Sequence, residues 1–190
     1  MSQFGRISGW FRRRFRPSAR QMAANRLYHC IVQQSRSPGF YNHAGVADTV
    51  DGRFDMIVVH AFIVMHRLRD GDKDAADLSQ ALFDEMFMDM DRSLREMGVG
   101  DMGIGRRVRA MGTAFLGRVD AYHRALEAGG DELERALMRN LYRSEASPEA
   151  GACAIGRYVR SKVDLLSSAS LTELLEGHVA FGPALQEDTL

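Results

Sequence analysis

The sequence predicts an all-α fold: a single globular domain of six or seven helices behind a basic N-terminal extension. Three observations predict it. Apolar residues recur at three- and four-residue spacing through the long stretches between breakers. Ser-Pro, Asp-Gly and Gly-Gly steps fall where short helix–helix connections would need them. Alternating runs of β-branched residues, which strands require, are few. A chain of 190 residues can bury one such core. The expected organisation is a basic aromatic segment over residues 1–17, a helical domain over 18–177 and a frayed C-terminal tail over 178–190.

The chain is neutral overall, yet eight arginines and no acid precede Asp48. In the first segment Phe4, Ile7, Trp10, Phe11 and Phe15 interleave with Arg6, Arg12, Arg13, Arg14 and Arg16. Arginines with interleaved aromatics suit an anionic partner, either lipid headgroups or RNA. The plainer alternative is a solvated tail. No apolar core follows the arginines, so no export signal is read. The longest apolar run, Met56 to Met65, spans ten residues, half the length of a membrane span. Cys30 and Cys153 are distant in sequence and fit no metal or disulfide pattern, so both read as reduced, partly buried thiols in a cytoplasmic compartment.

The first domain helix is expected over Ser18 to Ser35, with Ser18 as N-cap and Met22, Ala23, Ala24, Leu27, Cys30 and Ile31 facing inward. Ser37 to Tyr41 ends it, and a loop is expected up to Gly52. Arg53 to Arg69 is the most apolar helix and is expected to be central, its Phe54, Ile57, Val58, Ala61, Phe62, Met65 and Leu68 forming a wide inner face. Arg53, His60 and Arg67 lie seven apart as a polar stripe, with His60 expected to rest on a neighbouring carboxylate. A turn over Asp70 to Asp74 leads to a helix from Ala75 to Met97. Its inner seam is Leu78, Leu82, Met86, Met90, Leu94 and Met97, with Phe83 and Phe87 beside it, and Gly98 is the stop.

Gly98 to Gly105 contains a literal GxGxxG, but a helix precedes it where a dinucleotide site needs a strand. It reads as a turn, with Asp101 capping a helix from Ile104 to Glu127. Val108, Met111, Ala114 or Phe115, Val119, Tyr122 and Leu126 face in. Further helices are expected over Glu132 to Ser144, from Ser147-Pro148-Glu149 onward, and from Ser170 to Glu176.

The block from Leu82 to Met111 carries the functional signal. Asp84, Glu85, Asp89 and Asp91 cluster there, but Arg92 and Arg95 follow at helical reach, which suits surface ion pairs better than a metal site. Neither a catalytic set nor a cofactor or metal pattern is found. Six of the eleven methionines lie between Met86 and Met111. Methionine adapts to varied apolar partners and equally fills cores. Met88 and Met102 are the candidates for exposure on a groove with charged walls.

This block, LFDEMFMDMDRSLREMGVGDMGIGRRVRAM, closely resembles the central motif of the ubiquinol–cytochrome c chaperone family. Phe40-Tyr41 and the stretch from Val46 to Asp55 are similar to its pattern as well. The resemblance implies a helical, non-enzymatic assembly factor for respiratory complex III. Its client would be an apolar polypeptide, newly made cytochrome b, with a small partner protein in the mitochondrial relatives. Carried over by position, Asp84, Phe87, Asp89, Asp91, Arg92, Arg95, Asp101, Gly103, Gly105 and Arg106 form the expected partner-facing and turn-forming set, joined by Met88 and Met102 from the exposure argument. Arg6, Trp10, Arg12, Arg13, Arg14 and Arg16 are the expected membrane or RNA contacts. The short N-terminus departs from a mitochondrial presequence, so the expected setting is the cytoplasmic face of a bacterial inner membrane, or the matrix side in a eukaryote. A ribosome- or RNA-associated binding module is the competing function.

Overall fold

Ser18, Thr49 and Asp72 each turn a side-chain oxygen onto the first free amides of a helix, and these three caps set the frame of the molecule. Ser18 accepts from the Gln21 amide at 3.1 Å, Thr49 from Gly52 at 3.1 Å and Asp72 from Asp74 at 3.0 Å. The computed structural model describes residues 17–98, 100–142 and 149–185, with the side chains of Asp101 and Met102 left aside. Among them are eight α-helices: α1 (Ala19–Ser35), α2 (Pro38–Asn42), α3 (Val50–Arg69), α4 (Lys73–Glu96), α5 (Asp101–Ala128), α6 (Glu132–Leu137), α7 (Glu149–Ser168) and α8 (Leu171–Leu175). A π-helical turn, Met138–Tyr142, continues α6. No strand occurs among the described residues.

The architecture is the expected all-α domain, organised around α3. Thirteen of its residues are buried, and α1, α4, α5 and α7 all pack on it. Arg20 pairs with Asp74 and Asp77, Asn25 with Glu85 and Tyr28 with Asp89. Those rising partners show that α1 runs alongside α4 in the same direction. Then α5 returns against α4 and α3, and α6 and α7 close the far side.

Several local expectations are corrected. The stretch between the first two long helices is not all loop: Pro38 at the start of α2 supplies the φ a helix needs at its first position. The capped start of α3 is Val50, three residues ahead of the expected Arg53. Met22 and Met97 are exposed, at 45% and 57%, because no neighbour covers the outer edge of α1 or the last turn of α4. Gly100, not Asp101, occupies the N-cap of α5, so Gly103 and Gly105 are helical, and of the four glycines in this stretch Gly98 alone takes the left-handed φ, +78°. Cys30 is half-buried as expected, but Cys153 is exposed.

His60 is held without a carboxylate. Its Nδ1 lies 2.8 Å from the Met56 carbonyl, which can only accept, so that nitrogen carries the hydrogen. Nε2 then accepts from the Tyr158 hydroxyl at 2.9 Å, and Tyr158 in turn accepts from Gln34 Nε2 at 3.1 Å. Phe40 and Phe181 stand edge-on to the ring. The presence of Phe181 also corrects the frayed tail. Gln34 donates to the Gly182 carbonyl at 3.2 Å, and Phe181 and Leu185 are buried in the core. A second buried polar contact joins α3 to α5: Arg118 Nη2 lies 3.1 Å from Asp55 Oδ1.

Candidate functional site

Phenylalanines one turn apart on α4 meet one on α5. The ring centroids of Phe83 and Phe87 are 4.5 Å apart, and those of Phe83 and Phe115 are 5.5 Å apart. The Phe87 ring also lies against α5 at Gly112, where a Cβ would stand 3.8 Å from it, at ordinary contact distance. Beside this cluster, α3, α4 and α5 diverge and leave an open groove of about 460 Å³. Met65, Leu68, Phe83, Phe115 and Val119 form its apolar floor and walls, with Ala76 and Ser79 at one side. Arg69, Gln80 and His123 stand at its edge. Leu116 lies on it at 58% exposure. An exposed leucine on an aromatic floor is surface that water solvates poorly and an apolar partner would cover.

At the edge of the groove His123 pairs with a second histidine, His66 of α3. His66 and His123 stack with planes 27° apart, and their Nδ1 atoms are 2.9 Å from each other. One of the two must donate and the other accept, so the pair holds at least one neutral ring. Burial pushes both pKa values down, and each histidine has Arg69 working in the same direction against nearby carboxylates. Arg69 is itself paired with Glu127 at 2.8 Å. At neutral pH this histidine pair is therefore polar but uncharged, flanked by one ion pair.

The structure distributes the expected residues along α4. Asp84, Met88, Asp91 and Arg95 recur at helical spacing as one outward stripe, next to the phenylalanine edge. Met88 is 52% exposed, as its selection required. Asp84 accepts from Gln80 Nε2 at 2.8 Å, and Arg95 pairs with Asp91 at 2.7 Å. Asp89 takes the Tyr28 hydroxyl at 2.9 Å on one oxygen and Arg92 at 2.9 Å on the other, which ties α1 to α4. Phe87 is buried beneath this surface. Arg106 is exposed on α5, with Arg107 and Arg109. The side chains of Asp101 and Met102 lie outside the described residues, as do Arg6, Trp10, Arg12, Arg13, Arg14 and Arg16. Among the described residues no three of His, Cys, Asp and Glu converge as metal ligands.

A groove was expected beside Met88 and Met102, whereas the observed one lies between α3, α4 and α5. Its signal was available on α5, where Gly112, Leu116, Val119 and His123 follow helical spacing on a face offset from the inner one. Leu116 falls outside the seam that periodicity selects, and an apolar residue left over on an outward face is the mark of such a site.

Comparison with known proteins gives two matches. The model of the ubiquinol-cytochrome C chaperone family matches residues 42–181 of this chain. The solved structure described as the crystal structure of the Cbp3 homolog from Brucella abortus is similar over 93% of this chain and 97% of its own, with 35% identity and a TM-score of 0.78. No curated protein matches the chain.

Proposed function

The chain belongs to the ubiquinol-cytochrome C chaperone family, and from that membership we propose that it shields newly made cytochrome b during assembly of respiratory complex III. The observation that carries this reading is the apolar groove between α3, α4 and α5, with exposed Leu116 upon it. A membrane-protein client presents apolar helices that need cover before they reach their partners. A groove with an apolar, partly aromatic floor binds such a helix by burying its apolar face. No covalent step is needed, and no catalytic set is proposed.

The outward stripe of α4 extends this surface. Asp84, Met88, Asp91, Arg92 and Arg95 are proposed as partner-facing, with Arg106 at the far end and Asp89 and Phe87 holding the stripe in place from beneath. Asp101 and Met102 complete the proposed set from sequence. The same stripe is where a small partner protein would sit beside the client. The proposed location is the membrane face at which cytochrome b is inserted; no helix among the described residues is long and apolar enough to cross a membrane.

Site-specific photocrosslinking in native membranes tests this. Crosslinkers at Leu116 and at Met88 are expected to capture cytochrome b, while one at Val50, also exposed at 66% but on α3 away from the groove, is not. Capture from Val50 at equal yield would remove the groove as the client site. Absence of cytochrome b from all three positions would remove cytochrome b as the client.

A further inference from the structure

The corner between α4 and α5 gathers three exposed arginines close in sequence that meet no carboxylate among the described residues. Arg20, Arg53, Arg69, Arg92, Arg95 and Arg124 all reach a carboxylate. Arg106, Arg107 and Arg109 are exposed on the first turns of α5, and among the described residues none of their side chains has an ion-pair or hydrogen-bond partner. Their donors are left to water. At the end of α4, Arg92 and Arg95 turn back to Asp89 and Asp91, and Glu96 is exposed. Farther back, the start of α4 is acidic, with Asp72, Asp74, Asp77, Asp84 and Glu85. The unpaired positive charge of this corner therefore comes from the three arginines of α5.

The corner is also bare. Gly98, Gly100 and Gly105 have no neighbouring atom where a side chain would sit, so the backbone projects without cover. Met97 stands there at 57% exposure. Between Met88 and Ala114 the sequence holds no Phe, Tyr, Trp or His. Single-stranded nucleic acid would want an aromatic stacking platform beside the arginines, and this surface has none. A lipid interface wants guanidinium groups at the phosphates and an apolar side chain between them.

We propose that the α4–α5 corner docks on an anionic lipid surface, with Arg106, Arg107 and Arg109 at the headgroup phosphates and Met97 entering the interface. This takes its setting from the membrane-protein client proposed above, but the contact itself is independent of any client. The full chain is expected to float with phosphatidylcholine vesicles that contain phosphatidylglycerol or cardiolipin, and not with phosphatidylcholine alone. R106Q/R107Q/R109Q should weaken that binding about a hundredfold, since each arginine at an anionic surface contributes about a fivefold factor. M97D should weaken it as well. All four positions are exposed, so thermal unfolding of these variants should match the parent. A third variant, with Arg6, Arg12, Arg13, Arg14 and Arg16 changed to Gln, separates the N-terminal arginines and should retain binding that depends on Arg106, Arg107 and Arg109.

Unchanged flotation of the triple variant overturns the proposal. So does loss of all binding in the N-terminal variant. Binding to single-stranded RNA as tight as to vesicles, with M97D without effect on either, would make the corner a general polyanion site and overturn it too. The vesicles contain no protein, so failure to crosslink cytochrome b would leave this outcome untouched.

Discussion

His60 has a partner for each ring nitrogen, and that completeness sets a pH limit on the fold. The Met56 carbonyl requires hydrogen on Nδ1, and the Tyr158 hydroxyl donates to Nε2. A second proton on the ring would break the Tyr158 bond inside an apolar shell. Burial accordingly lowers the His60 pKa from 6.5 to about 4. The unfolded chain takes up a proton below about pH 6.5 while the native chain does not until about pH 4. Stability is therefore full above pH 6.5 and falls as the pH drops toward 4, by about 3 kcal/mol for this residue. His66 and His123, also lowered, add to the same slope. Urea midpoints measured from pH 7 to pH 4.5 should fall with pH, and His60→Gln, which keeps a donor and an acceptor, should flatten the slope. Equal slopes would show that His60 does not titrate with folding. Asp55 makes a different demand. Its side chain is 1% exposed and its ion pair with Arg118 joins α3 to α5. Asp55→Ala would strand a buried guanidinium and should cost about 3 to 5 kcal/mol in urea unfolding. The Asp55→Ala/Arg118→Met double variant should recover much of that.

At the scale of elements, side-chain chemistry made the starts of the helices legible, and neighbours decided their inner faces. Ser18 could be read as a cap because a hydroxyl ahead of an apolar periodicity has one favoured use. The outward side of Met22 or Met97 could not be read, because period alone does not say which edge of a helix another helix will cover. His60 appeared in sequence as one member of a polar stripe, since its partners Ser35 and Tyr158 come from α1 and α7, 25 and 98 residues away. Of the site, the Met88 stripe was legible from spacing and family motif. The position of the groove was not, because it arises from the divergence of three helices. The C-terminal segment teaches the same lesson. Nothing in its composition demands burial, yet Phe181 reaches the His60 shell and Leu185 lies over α2. A Cβ on Gly39 would run into the Leu185 carbonyl. Gly39→Ala should therefore loosen residues 178–185 and destabilise the protein by about 1 to 3 kcal/mol. Limited proteolysis with mass readout should find new cleavage after Phe181. Resistance equal to the parent would mean that the segment is not held at Gly39.

For the whole molecule, the useful quantity is the length of α5. Twenty-eight residues at 1.5 Å each make it about 42 Å long. The groove is built on its middle, around Leu116, and the basic corner on its start, around Arg106. Ten residues of helix separate them, which is about 15 Å along the axis. A corner seated among headgroups would thus hold the groove just above the lipid, within reach of an apolar segment entering or leaving the membrane. The two proposed surfaces then serve one task, and their separation makes a prediction that neither makes alone. In a variant with Cys30 and Cys153 replaced by Ser, an environment-sensitive dye placed at Met97→Cys should be quenched by a quencher attached to lipid headgroups. The same dye at Leu116→Cys should be spared, and a quencher dissolved in water should reverse the order. Quenching at both positions by the headgroup probe would mean that α5 lies flat on the bilayer, with the groove pressed against lipid and closed to a polypeptide. Quenching at Leu116 alone would place the groove, rather than the corner, on the membrane, and the apolar floor would then be a lipid contact instead of a client site.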